Sequence, residues 1–180
     1  MYMKTNWQTK KLTDVIDKVV YTKKIPRKRF LESGKFPIIS QEEDFINGYW
    51  DKKEDLFKVK SPVVIFGDHT QILKYVTFDF ILGADGVKIL QPKSFLDPKY
   101  FYYFLQSVDL KKLGYARHYR LLKEVDICYP DSIEKQREIV ENLDKILDDV
   151  SKIRENTLQK LTRLDELKKA LLKKAFEGKL

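Results

Sequence analysis

Between Pro130 and Gly178 the chain carries neither glycine nor proline, a run of 47 residues. No other feature limits the fold as much, because glycine and proline are the residues that stop helices. Asp131 and Ser132 offer N-cap oxygens at its start, with Glu134 placed to help satisfy the first turn. Lys173 and Lys174 complement the C-terminal end of a helix dipole, and Gly178 is a natural terminator. One helix of that length extends roughly 65–70 Å at 1.5 Å per residue. The chain before Pro130 is too small to cover it.

The apolar residues of this helix define its packing. Ile139, Leu143, Ile146, Val150 and Ile153 alternate steps of four and three, the spacing of a coiled-coil seam. The register slips around Thr157 and resumes through Leu161, Leu164 and Leu171, which changes the supercoil locally without ending the helix. Such a seam either packs on its own domain or pairs between chains. Intermolecular pairing is the expectation, since a lone helix this long leaves its stripe in water.

The first 130 residues have a different texture, and the pattern predicts an α+β globule. Leu12, Val15, Ile16, Val19 and Val20 follow helical spacing and predict a short opening helix. Short apolar runs predict strands at 36–39, 63–66, 77–82, 87–90 and 125–129, punctuated by Asn47-Gly48, Gly67-Asp68 and Asp85-Gly86. Asp97 followed by Pro98 marks a helix start, with Phe101, Phe104, Leu105 and Val108 on one face. The expected architecture is therefore a globular domain over 1–130 and a long helix over 131–180.

Charge is divided unevenly between these parts. The net charge is +8. Residues 1–130 hold 23 Lys and Arg against 16 Asp and Glu, whereas residues 131–180 hold 12 against 11. The globule carries the excess, and a polyanion would bind there. Two basic clusters stand out: Lys23, Lys24, Arg27, Lys28 and Arg29, and then Lys111, Lys112, Arg117, His118, Tyr119, Arg120 and Lys123, the second with no acid inside it. Each is either a solvated loop or a nucleic-acid surface. On the second reading Arg117 and Arg120 suit bidentate contacts to guanine and the lysines suit phosphates, while His118 and Tyr119 reach bases or backbone. His69, beside Asp68 and Thr70, fits a turn better than a metal site, and is counted with the candidate DNA contacts.

Several chemistries lack their motifs. No phosphate-binding GxxxxGK[ST] loop and no GxGxxG occurs. An adenine methyltransferase would show Asn/Asp-Pro-Pro-Tyr/Phe, which is missing. Pro130-Asp131 with Glu166-Leu167-Lys168 resembles a nuclease set, yet the two halves fall at opposite ends of one predicted helix. The single cysteine, Cys128, cannot form an internal disulfide, and with only two histidines beside it no zinc site is expected. With no signal-like apolar stretch in 1–11 and no run as long as a membrane span, a cytoplasmic protein is expected.

The order of motifs resembles type I restriction-modification specificity subunits along nearly the whole chain. Trp7…Leu12-Thr13-Asp14-Val15 is similar to their opening, and Phe36-Pro37-Ile38-Ile39 followed by Ile46-Asn47-Gly48 to an early strand and turn. Val63-Val64-Ile65-Phe66-Gly67-Asp68-His69-Thr70 and Gly83-Ala84-Asp85-Gly86 resemble some of their target recognition domains. Pro130…Glu134-Lys135-Gln136-Arg137-Glu138-Ile139 resembles the start of their conserved helix, and Leu172 to Leu180 their usual close. The resemblance implies a non-catalytic subunit that reads double-stranded DNA. Full subunits of the family carry two recognition domains and two long helices. This chain has one of each, which implies a half-length form that homodimerises through its helix and reads half of a gapped palindrome. Methyltransferase and restriction subunits are the implied partners, and S-adenosylmethionine is expected only on the methyltransferase. The alternative is a coiled-coil adaptor that does not read DNA sequence.

Overall fold

The computed structural model describes residues 6–83, 86–110 and 117–179. The elements are β1 (Trp7–Lys11), α1 (Leu12–Val15), β2 (Ile16–Asp17), β3 (Phe36–Ile39), β4 (Gly48–Trp50), β5 (Leu56–Phe57), β6 (Val63–Gly67), β7 (Leu73–Val76), β8 (Phe80–Leu82), β9 (Val87–Pro92), α2 (Pro98–Gln106), α3 (Tyr119–Leu122), β10 (Asp126–Pro130) and α4 (Ile133–Phe176). The fold is α+β, a globule followed by one long helix.

Two four-stranded sheets, ordered β2-β9-β6-β7 and β4-β3-β8-β5, form the globule together with a two-stranded ribbon of β1 and β10. Among the described strands only β3 and β8 pair in parallel, with Ile38 opposite Ile81. Period-two alternation sorts their side chains. Ile39, Phe57, Phe80 and Leu82 join Val63, Ile65, Val87 and Ile89 in a core shared by the two sheets. Ile38, Leu56 and Ile81 face the other way and pack with Ile25 and Trp50. The second sheet is thus buried on both faces.

Two local expectations give way to tertiary pairing. The opening helix ends at Val15, because Ile16 and Asp17 pair with Pro92 and Gln91 of β9. Val19 turns onto the inter-sheet core while Val20 is 90% exposed. The strand expected over 77–82 begins only at Phe80. Asp79 interrupts it, accepting the Val59 N–H at 2.8 Å and the Lys58 ammonium at 2.7 Å.

The α2 helix starts as expected, with Asp97 Oδ1 accepting the N–H groups of Lys99 and Tyr100 at 2.9 and 3.0 Å. It packs across β6, β7 and β9. At the start of α4, Ser132 Oγ accepts the Lys135 N–H and donates to Glu134. Those bonds to the ionised form, from Ser132 and its own backbone N–H, hold the Glu134 carboxyl below its ordinary pKa. One turn on, the wholly buried Gln136 donates to Phe95 O and Pro130 O and accepts the Asp97 N–H at 2.7 Å.

The chain forms two compact units, one running to Glu138 and the other from Ile139. The first turn of α4 is therefore part of the globular unit. In the second unit Ile146, Val150, Ile153, Leu161, Leu164 and Leu171 are all 44–65% exposed, as are Leu158 and Leu167 of the same helix. Among the described residues no helix is long and apolar enough to cross a membrane.

Candidate nucleic-acid interface

The apolar run of β6 ends at Gly67, where a tight turn begins. Gln71 N–H bonds Gly67 O, and Gly67 N–H bonds Ile72 O. The turn is tied to Gln41, which accepts the Thr70 hydroxyl on its backbone carbonyl and the His69 N–H on its side chain. Gly86 sits against the same turn at φ 88°. The conformation favours glycine, and a Cβ there, 2.4 Å from Gln41 Oε1 and 3.0 Å from the His69 ring, would also push the Gln41 side chain off the turn. His69 is accordingly a half-buried turn residue at this end of β6 and β9.

Asp68 lies at the centre of the turn and is only 3% exposed. Its N–H bonds Gly86 O at 2.7 Å, and its carbonyl takes the His118 N–H at 2.8 Å. One carboxylate oxygen accepts the Tyr119 N–H at 2.8 Å and the other faces Lys88 at 3.7 Å. His118 is expected from sequence to face a ligand. It is 2% exposed instead, with Nδ1 3.1 Å from Asp68 O. A carbonyl only accepts, so Nδ1 carries the proton and donates. Arg117, Arg120 and Lys123 are exposed around it. Lys111 and Lys112 lie outside the described residues.

The first basic segment reaches this place along the outer edge of β9. Tyr21 Oη accepts the Ile89 N–H at 3.0 Å, and Lys24 Nζ lies 3.4 Å from Val87 O. Lys24 also sits 5.1 Å over the Tyr21 ring. Tyr119 has Lys88 at 5.4 Å and Lys123 at 5.8 Å over its own ring, within cation–π range. Burial, with Tyr21 and Asp68 close by, raises the Tyr119 phenol above its ordinary pKa. Two clusters some 90 residues apart in sequence thus share one surface through Tyr21, Lys88 and Tyr119.

The rest of the first cluster lies farther along the same loop. Arg27, Lys28 and Arg29 form an exposed 3₁₀ turn. Arg27 approaches Glu42 at 4.0 Å and Arg29 stacks 5.2 Å over Trp50. Lys23 is exposed. Neither Tyr21 nor Lys88 figures among the candidates drawn from sequence. Lys88 had one visible signal, a lone cation between the buried Val87 and Ile89 of a strand.

A cleft at the opposite end of β9 is lined by Lys58, Lys93, Pro92, Leu96 and Arg137. Three of the cations that line it are engaged, Lys58 by Asp79, Lys93 by Asp14 O and Arg137 by Asp97; Lys18 and Lys60 line it as well. Among the described residues no group of three His, Cys, Asp or Glu is placed to hold a metal.

Comparison with known proteins identifies the family. The family model described as the type I restriction modification DNA specificity domain matches residues 4–163. The specificity subunit of the Escherichia coli type I restriction enzyme EcoR124I/EcoR124II is 30% identical over 137 residues, covering 67% of this chain and 33% of that protein. A chain solved in a study of complex assembly and conformational transition of the type I R-M system superposes with a TM-score of 0.79 at 21% identity, over all of this chain and 48% of its own. The HsdS subunit of Thermoanaerobacter tengcongensis gives 0.63 at 20% identity, again over all of this chain and 47% of its own. The chain therefore spans a third to a half of these relatives, and it belongs to the type I restriction-modification DNA specificity family.

Proposed function

We propose that this chain is a non-catalytic DNA reader that recognises one half of a gapped palindromic target as a homodimer. The observation that carries the reading is the joining of the two basic segments on one surface, with the buried carboxylate of Asp68 behind it. Lys24, Arg117, Arg120 and Lys123 form the centre of the contact, with Lys23, Arg27, Lys28, Arg29 and His69 at its margin. Lys111 and Lys112 belong to the same segment. Tyr119 presents a neutral ring edge among the cations, and His118 supports the segment from inside.

The α4 seam is the proposed dimer contact, with two helices antiparallel. A two-fold axis makes both readers identical, so the two half-sites are inverted copies separated by a gap that the helix pair spans. Methyltransferase subunits dock on the assembly in the cytoplasm and hold the S-adenosylmethionine, and a restriction subunit joins them. Arg117 or Arg120 making a bidentate base contact contributes about 1–3 kcal/mol of discrimination.

A map of modified bases in host DNA, with and without this gene, tests the reading. Loss of one gapped palindromic motif is the expected result. An unchanged map in cells whose companion methyltransferase is active refutes it and favours the adaptor.

A further inference from the structure

We infer that Asp68 is the positioning residue of the DNA-reading surface, holding residues 117–123 in their reading conformation while neutralising Lys88. The inference rests on the DNA-reading function proposed above. Every polar group of Asp68 is used, and they join three separate stretches of chain. Its N–H and carbonyl hold Gly86 and His118, and its carboxylate holds the Tyr119 N–H and Lys88. Main-chain contacts to Gly86 and His118 would survive any side chain at this position. The carboxylate contacts would not, and they are the ones that orient α3 and set the charge of the surface.

Two consequences separate positioning from a merely structural role. First, the Tyr119 N–H is directed at an ionised acceptor, the stronger kind of hydrogen bond. Losing it releases the segment that carries Arg117, Arg120 and Lys123. Second, Lys88 lies between the Tyr119 ring and the Asp68 carboxylate, with 29% of its side chain exposed. While paired it adds little net charge to the surface. Without the carboxylate charge it becomes one more phosphate-binding cation, which favours every DNA sequence equally.

Three variants of the full chain, purified with its companion methyltransferase, test this. Asp68→Ala is expected to speed amide exchange across 117–123 by about tenfold or more, with the β6 and β9 amides unchanged. It is also expected to relax the motif selected from a randomised duplex library. Asp68→Asn retains an acceptor for Tyr119, so the segment stays protected. Its binding to a mixed-sequence duplex tightens, and the salt dependence steepens by about one counterion. Lys88→Met added to Asp68→Asn reverses that steepening. It also keeps the test open where Asp68→Ala does not fold.

Unchanged exchange in Asp68→Ala overturns the inference, as does released exchange with the selected motif intact. An unchanged salt slope in Asp68→Asn overturns the Lys88 part. Wild-type protein that selects no motif overturns the DNA reading itself, and this is distinguishable because the exchange measurement uses no DNA.

Discussion

Gln136 is the most exacting test of how α4 is fastened to the globule. Its side chain is fully buried and makes three hydrogen bonds, from Nε2 to Pro130 O at 2.8 Å and Phe95 O at 3.0 Å, and to Oε1 from Asp97 N at 2.7 Å. Gln136→Leu preserves bulk and removes all three. The orphaned Asp97 N–H alone costs about 1–3 kcal/mol, and the two carbonyls, each with a second lone pair, add less. Set against the gain from burying an apolar side chain, the net loss is about 2 kcal/mol. For a domain of this size that lowers Tm by roughly 4–8 °C, readable by circular dichroism or tryptophan fluorescence. Gln136→Glu sharpens the test. It keeps the acceptor for Asp97 but aims a second oxygen at two carbonyls, so the protonated form is favoured in the folded state. The folded pKa then lies above the unfolded value of about 4.3. The stability of this variant relative to wild type is fully present below that value and is lost as pH rises through the folded pKa. A Gln136→Leu loss below about 1 kcal/mol, or a Gln136→Glu penalty that does not grow between about pH 4 and 7, refutes the account.

Lys74 is 4% exposed and donates to Asp44 O, Phe45 O and Asn47 Oδ1, and burial lowers its pKa to about 8. Its folded value lies below the unfolded 10.5, so the unfolded chain holds more protons between the two. Wild-type stability, measured by urea denaturation against Lys74→Met, should therefore rise as pH climbs through that window. Ile153→Asp places a charge at the middle of the exposed seam in both chains of the proposed dimer. Sedimentation should show a dimer Kd raised by roughly a hundredfold or more, with Asp149→Ala unchanged as the control.

What the sequence made readable depended on whether the signal was local. The α4 helix is written in a long gap without glycine or proline, and α2 in Asp97-Pro98, because caps and breakers act within one turn. The fully apolar β6 run is equally plain. By contrast β4, Gly48–Trp50, and β5, Leu56–Phe57, are too short to carry a period and exist through their partners in the second sheet. The exposed strand β1, Trp7–Lys11, reads as polar because it pairs only with β10. Both basic clusters of the candidate site are visible as composition. Their union is not, since it depends on Tyr21 bonding Ile89 across 68 residues of chain. Nor does a histidine inside a basic run announce that it points inward. That becomes apparent only when Asp68, from a turn 50 residues earlier, is seen to hold it.

The division of charge matches two surfaces with different physics. The basic excess lies in the globule, where affinity for a polyanion grows with each cation brought within reach and falls as salt rises. The α4 helix is nearly neutral, and apart from Arg137, which pairs with Asp97, its ion pairs, such as Lys135 with Glu138 and Lys152 with Asp148, lie along the helix itself. Exposed pairs of that spacing contribute only about 0.3–0.5 kcal/mol each, so they support the helix without fixing a partner. Recognition along α4 is left to its apolar stripe, whose strength salt does not erode. If α4 pairs as proposed, the dimer would release DNA in a salt-dependent manner while its helices stay paired. That separation is what a reader needs if its two halves are to leave one site and find the next without coming apart.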